Sequence, residues 1–519
     1  MNKIPVDICL HIGQFCTRHD LFQLVLVSKS FYALFIPQLY NHVRLPLTRY
    51  DESIHCWYTT PPLNDLPVRR FTQAIIENPS LAILIHSLDL YPDTLEGAKW
   101  RGRPPLNELP EERFKASLFP YGTSKRKYWR KYQAWRNDLR DRPSQKPERL
   151  TEDAWLGLLL LQLRNLQRLT IWLTEERSIY EPHWRLTVYL DRVIHWARDP
   201  KLGILTRLTH LYVRDGPVNQ GEGGEEAIPL DRIMPYLRIP SLRNLHVVNL
   251  SERPGRALLE KDLPLTHINV QGIHFHRGIY SSGESVPKLL SMCSRLQSFT
   301  WRSGLTDIDH AYPSTHDFMN PCSLYAPLRR SRETLRELSI ALEGRPGDED
   351  TQQNVQLPRP RFLGSLSDFP VLETINMRLS NLMHFHERTH VPITHLWEVL
   401  PRSLRILYIR DCLVQSSSML CHELEALAAR VSPGFPRLQT LGIQFAFQEL
   451  EPGLGCWSCV GHQPKAIVET DCVIDDGIEL LKGKFRELNV NFQVMPRGQA
   501  LPFSSLEHYF CFIKHNHLQ

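Results

Sequence analysis

The pattern apolar-x-x-apolar-x-apolar recurs eleven times along this chain, and no other feature limits its fold so strongly. It falls at Ile85/Leu88/Leu90, Leu166/Leu169/Ile171, Leu208/Leu211/Val213, Leu242/Leu245/Val247 and Leu265/Ile268/Val270. It continues at Leu296/Phe299/Trp301, Leu335/Leu338/Ile340, Leu372/Ile375/Met377, Leu404/Leu407/Ile409, Leu438/Leu441/Ile443 and Phe485/Leu488/Val490. Between Leu166 and Leu438 successive occurrences begin 23 to 42 residues apart, which leaves room for one short strand and one return segment each. Within each strand the apolar positions point into a shared core, while the intervening residues stand on the other face. A single such pattern arises by chance, but most of these follow a Pro, Ser or Arg and precede a polar residue. Helical return segments are legible from Ser417 to Ala429, where Leu420, Leu424 and Leu427 share a face, and from Tyr189 to Ala197.

These segments resemble a divergent leucine-rich-repeat array. The resemblance implies an α/β fold, an irregular solenoid whose strands form a parallel sheet on its concave face. At 519 residues the chain exceeds a typical single core, which suits an array that grows by addition. Four stretches interrupt the pattern: 91–150, proline-rich and charged; 215–229, a Gly/Glu turn; 343–361; and 445–475. The second and third have the low hydrophobicity of mobile loops and are expected to project from the array.

Residues 4–43 pack more apolar side chains than so short a stretch can bury alone. Pro5 suits the first turn of a helix on which Ile4, Ile8, Ile12 and Phe15 recur at helical spacing. Asp20 is placed to cap a second helix carrying Leu21, Leu24 and Val27; Phe31, Leu34 and Phe35 begin a third that should end near Pro37. The Ile4-Pro5 start, the Asp7-Ile8 pair, the His19-Asp20-Leu21 step and the Val27-Ser28-Lys29-Ser30-Phe31 run resemble an F-box. Ile4 stands where that family more often has Leu, and Phe31 where it often has Trp. The resemblance implies binding to the Skp-family adaptor, and through it a cullin, with Ile4, Pro5, Ile8, Leu21, Leu24, Val27 and Phe31 as contacts. The expected organisation is an F-box-like helical segment over 1–45, a first repeat strand with a proline-rich and basic insertion over 46–165, and the repeat solenoid over 166–519.

Composition narrows the function further. A formal charge of +5 is mild for this length and does not by itself call for nucleic acid or membrane. Eleven cysteines without a regular framework, and an N-terminus whose apolar run is broken by Asp7 and His11, point to a soluble chain in a reducing compartment, cytoplasmic or nuclear. The longest apolar run, Trp155 to Leu161, is too short to cross a bilayer. In the basic stretch 124–140, Lys125, Arg126, Lys127, Arg130, Lys131, Arg136 and Arg140 interleave with Tyr128, Trp129, Tyr132 and Trp135. That composition can bind nucleic acid; the preferred reading is an amphipathic helix with Tyr128, Tyr132 and Trp135 packed on the array. Cys456, Cys459 and His462 with Cys472 downstream have half of a zinc spacing, and free thiols are the preferred reading, so no metal or other cofactor is expected. His384 and His386 read as a solvated pair. No nucleophile elbow, phosphate-binding loop or zinc-protease motif is present, so no catalytic residue is assigned and the chain reads as a non-enzyme.

Together the two resemblances imply the substrate-recognition subunit of a cullin-RING ubiquitin ligase, acting by proximity rather than by chemistry of its own. The repeat register supplies the expected target-binding residues: Arg168, Thr170, Trp172, His210, Tyr212, Arg214, His246, Asn269, Arg302, Arg378, Tyr408 and Arg410. Their arginines suggest an acidic or phosphorylated segment of a protein substrate. The alternatives are a repeat-based interaction scaffold independent of any ligase, or a nucleic-acid-associated protein that uses residues 124–140.

Overall fold

The structure is a computed structural model that describes residues 4–48, 67–93, 111–118, 135–136, 139, 153–173, 188–215, 228–248, 250–251, 270–278, 285–303, 321–342, 362–386, 391–412, 417–445 and 468–495. The chain divides into two compact units, Met1–Asn249 and Leu250–Gln519. In the first, β1 (His42–Thr48), β2 (Ser87–Asp93), β3 (Arg168–Leu173), β4 (His210–Asp215) and β5 (Asn244–Val248) pair in chain order, every neighbour parallel. In the second, β6 (Gly272–Gly278), β7 (Ser298–Ser303), β8 (Glu337–Leu342), β9 (Thr374–Arg378), β10 (Ile406–Cys412), β11 (Thr440–Phe445) and β12 (Asn491–Met495) do the same.

The apolar triplets build the core of each unit. Leu88, Leu169, Leu211 and Leu245 stand side by side in the first, and Ile273, Phe299, Leu338, Ile375, Leu407 and Leu441 in the second, all buried. The leading positions Leu166, Leu208, Leu242, Leu296, Leu335, Leu372, Leu404 and Leu438 are buried one turn before their strands. At that turn one carbonyl accepts two N–H groups of the next repeat. His86 takes those of Gln167 and Arg168, Gln167 those of Thr209 and His210, and Glu373 those of Arg405 and Ile406. Polar side chains tie the same turns together. Asn165 Nδ2 donates to the Ile83 carbonyl at 2.7 Å, Ser241 Oγ to Leu205 at 2.9 Å, Thr334 Oγ1 to Leu296 at 2.8 Å and Ser403 Oγ to Leu372 at 2.8 Å. The Asn, Ser or Thr directly before these four triplets is thus a bond to the previous repeat, which satisfies a carbonyl that burial would otherwise strand.

Helices return the chain behind the strands. The helix α7 (Asp153–Gln162) is apolar on all sides, DAWLGLLLLQ, because it is covered by α4 (Pro67–Glu77) and α8 (Val188–Ala197). Its first residue, Asp153, is buried, and its carboxylate accepts the Tyr189 and Leu190 N–H groups at 2.7 and 3.0 Å, closing the start of α8. In the second unit Glu423, on the helix Ser417–Gly434, accepts the Leu396 N–H at 3.0 Å at the start of the helix Leu396–Val399. The expected helices over Ser417 to Ala429 and Tyr189 to Ala197 are both present.

Four local expectations are corrected. The first strand is β1, with Val43 and Leu45 buried, a repeat earlier than the first triplet. The third helix (Lys29–Asn41) continues through Pro37, which it tolerates because Pro37 and Ala33, whose carbonyl loses its partner, lie on the exposed side. The repeat around 270 uses Val270/Ile273/Phe275: Val270 is its first apolar position rather than its third, since two overlapping matches share that residue, and Leu265 and Ile268 lie outside the described residues. Phe485 belongs to the helix Val468–Glu487 and the last strand begins at Asn491, because an apolar i, i+3 spacing also fits one face of a helix turn.

Candidate functional site

Two surfaces remain once the core is assigned. The first is formed by α1 (Val6–Phe15), α2 (Arg18–Val27) and α3 (Lys29–Asn41). Thr17, rather than Asp20, is the N-cap of α2: its Oγ1 accepts the Asp20 N–H at 3.2 Å while Asp20 Oδ2 accepts the Thr17 N–H at 3.0 Å. Ser28 Oγ caps α3 by accepting the Phe31 N–H at 3.1 Å. The three helices close on a small cluster of Cys9, Leu21, Val25 and Phe35, with Leu24, Phe31 and Leu34 partly buried against it. Gly13 permits that approach, because a Cβ there would meet Gln38 Oε1 at 2.2 Å and Phe35 Cε1 at 2.9 Å.

Many apolar side chains of this segment point the other way. Ile4, Ile8, Ile12 and Phe15 form one stripe along α1, and Phe22, Leu26 and Val27 stand out from α2, each between 49 % and 77 % exposed. Of the docking residues expected from sequence, Ile4, Pro5, Ile8 and Val27 are exposed and Leu24 and Phe31 are half-buried. Leu21, at 6 %, is packing within the cluster and presents no surface. Ile12, Phe15, Phe22 and Leu26 join the exposed group; the helical period signals the first two.

The second surface is the sheet face opposite the core. In the first unit Arg168 is paired in register with His210, Thr170 with Tyr212 and Trp172 with Arg214; Tyr212 in turn pairs with His246. In the second, Arg378 pairs with Arg410 and Asn376 with Tyr408. Sequence register therefore places these side chains on one face within each unit. Their exposure differs. Arg168 is exposed, and His210, Trp172, Arg214, Arg378 and Arg410 are half-buried. The central row is closed over by lateral contact: Tyr212, His246, Thr170 and Tyr408 are buried although none faces the core. The Tyr212 and His246 rings stack at 4.4 Å, and Asn376 Nδ2 donates to Ser339 Oγ at 3.0 Å. Arg214 lies over Trp172 at 5.6 Å. Asn269 and the Arg302 side chain lie outside the described residues.

The remaining candidates resolve in part. From 124–140, Trp135 is buried, donating its indole N–H to the Ala154 carbonyl at 3.0 Å, stacking on Trp196 and meeting the Tyr189 ring at a tilt. It packs on the repeats as the helix reading requires; Tyr128 and Tyr132 lie outside the described residues. Cys456, Cys459 and His462 also lie outside them, as does the Cys472 side chain. His384 and His386 are both exposed, and His384 stacks on Phe362 at 5.5 Å. Among the described residues no cluster of His, Cys, Asp and Glu has the arrangement of a metal site, and no helix is long and apolar enough to cross a membrane.

Short parallel strands, most led in by a buried leucine and tied at the turn to the strand before, fit an α/β repeat fold. A family model described as a leucine-rich repeat domain matches residues 195–443, which takes in β4 to β10 and the first part of β11. The chain carries leucine-rich repeats over that span, and the strands before β4 and after β11 extend the same pairing pattern within their units. No match was found among curated proteins.

Proposed function

We propose that the chain is the substrate-recognition subunit of a cullin-RING ubiquitin ligase, holding a Skp-family adaptor through α1 and α2 and a target protein through the sheet face. The observation that carries the adaptor half is the outward stripe of Ile4, Ile8, Ile12 and Phe15 with Phe22, Leu26 and Val27 beside it. An apolar surface of this kind gains roughly 1 kcal/mol per half-exposed side chain when a partner covers it. Leucine-rich repeats support the target half, since such repeats present side chains on a continuous face suited to protein binding. The subunit contributes no chemistry: it raises the local concentration of a target lysine near a ubiquitin-charged enzyme.

The test is capture of the full chain by a purified Skp-family adaptor bound to its cullin. Wild-type chain is expected to be retained, and the paired substitution Ile8→Asp with Ile12→Asp to abolish retention at an unchanged melting temperature. Absence of capture for the wild type, or capture indifferent to the paired substitution, would sink the ligase reading and leave a repeat-based interaction protein.

A further inference from the structure

The strand β12 is laid down like the strands before it in the second unit but is not covered like them. It pairs in parallel with β11, Leu441 beside Phe492 and Ile443 beside Val494, and among the described residues no strand lies on its other side. Phe492 and Val494 therefore hold the two core positions of this strand. Leu441 and Ile443 are buried, whereas Phe492 is half-buried with its ring on Phe485 and Val494 is 36 % exposed. In no other strand of either unit is either position more than 8 % exposed, not even in β1, on which α3 and α4 pack over Val43 and Leu45. The backbone edge of β12 is open as well. The Asn491 N–H donates to the Gln439 carbonyl on the β11 side, so alternation along the strand turns the Phe492 and Val494 N–H groups to the open side.

Residues 496–519 lie outside the described residues, and their sequence holds a segment that matches this edge. Ser505-Leu506-Glu507-His508-Tyr509-Phe510-Cys511 repeats the lead-in and spacing of a strand triplet, with Leu506, Tyr509 and Cys511 at the three apolar positions. Its serine stands before the leucine as Ser241 stands before Leu242 and Ser403 before Leu404, and both of those hydroxyls donate to a carbonyl of the previous repeat. Pairing begins two residues after the leading position, at Ile406 after Leu404 and at Thr440 after Leu438, which sets the matching start at His508. Residues 496–507 then form a connection of twelve residues. A parallel crossover needs about that many. Extended, it reaches about 40 Å, against roughly 17 Å for the return along a five-residue strand such as β12. So short a tether holds the segment at an effective concentration of roughly millimolar order, which favours it over a strand of another copy.

We propose that residues 508–512 dock on the open edge of β12 as a further parallel strand, with Tyr509 beside Phe492 and Cys511 beside Val494. The two exposed core positions are thereby covered, and the Phe492 and Val494 N–H groups gain acceptors. His508, Phe510 and Phe512 alternate to the outward face beside Asn491, Gln493 and Met495 and lengthen it by one strand. The docking is independent of the ligase reading, and the test of either leaves the other untouched.

The experiment oxidises the purified full chain carrying Val494→Cys with copper phenanthroline, digests it and maps the peptides without reduction. Paired residues of adjacent strands stand about 4.8 Å apart, a separation that a disulfide spans. Cys511 is therefore expected to bond the introduced thiol within one chain, and to leave unbonded that of Gln493→Cys, which stands on the other face of the strand. A bond between two chains overturns the proposal in favour of a second copy. Absence of a bond to Cys511, or one formed equally by Gln493→Cys, overturns it too. Should Val494→Cys melt lower than the wild type, hydrogen exchange of the unsubstituted chain supplies the answer. Its Phe492 and Val494 amides are expected to exchange about tenfold more slowly than those of the paired variant Leu506→Asp with Tyr509→Asp. Fast exchange in the wild type, or protection that the paired variant retains, overturns the proposal.

Discussion

The ring of Tyr408 lies across Gly442 on the neighbouring strand, so close that a Cβ added to the glycine would stand 2.3 Å from the ring's Cδ1. Met495 closes the far side, and the tyrosine is 2 % exposed although it points away from the core. Gly442→Ala is expected to force the ring out of its seat and cost about 1–3 kcal/mol, as overpacking does. Thermal unfolding checks this, and the double variant with Tyr408→Ala should cost less than the sum of the two single changes.

Ser403 is buried, and its hydroxyl donates to the Leu372 carbonyl at 2.8 Å across the boundary between two repeats. Ser403→Ala leaves that acceptor without its side-chain donor. A loss of about 1–3 kcal/mol in denaturant unfolding is expected, against a few tenths for Ser367→Ala on an exposed turn.

Burial raises the Asp153 carboxyl from 3.8 to about 7, even though the Tyr189 and Leu190 N–H groups favour its charged form. The folded chain therefore binds this proton more tightly than the unfolded chain. The stability it contributes is complete below the unfolded value and is lost as pH rises through about 7. His42, pushed down to about 4, works in the opposite sense: its contribution is present above its unfolded value of 6.5 and is lost as pH falls toward 4. The difference between wild type and Asp153→Asn isolates the carboxyl. Melting temperatures measured from pH 4 to pH 7 should fall relative to the variant as pH rises, and parallel curves would contradict the assignment.

Trp135 fills a seat over Gly157, where a Cβ would meet its ring at 2.9 Å, and its indole is held by the Ala154 carbonyl. Trp135→Ala is expected to cost about 3–5 kcal/mol of stability. Unfolding measurements would register a packing role; an unchanged melting temperature would free this residue for contact with an external ligand.

Leu21 and Ile12 contrast two kinds of apolar residue in the same segment, one 6 % and the other 49 % exposed. Leu21→Asp should unfold α1 to α3, seen as lost helix signal and early proteolysis between residues 4 and 41. Ile12→Asp should leave both unchanged, because its side chain already meets water.

The repeats were legible because a buried parallel strand imposes a strict alternation that return segments do not share. Nine of the eleven triplets occupy the expected core positions, Leu438/Leu441/Ile443 among them. The misplacements at Val270 and Phe485 have one cause: three apolar residues in six fit two registers, or a strand and a helix end, equally well. The first strand escaped notice because Pro46 and its position directly after a helix disguise it.

By itself, then, the sequence determined the repeat unit, the core face of each strand and the excess of apolar side chains near the N-terminus, since period and composition are local properties. Only the tertiary structure decided which outward residues meet solvent. Neighbouring strands stand about 4.8 Å apart, so side chains on the outer face bury one another according to their size: Tyr408 disappears against a glycine and Tyr212 against His246. Packing of the three N-terminal helices on one another likewise sorted Leu21 inward from Ile8 and Ile12.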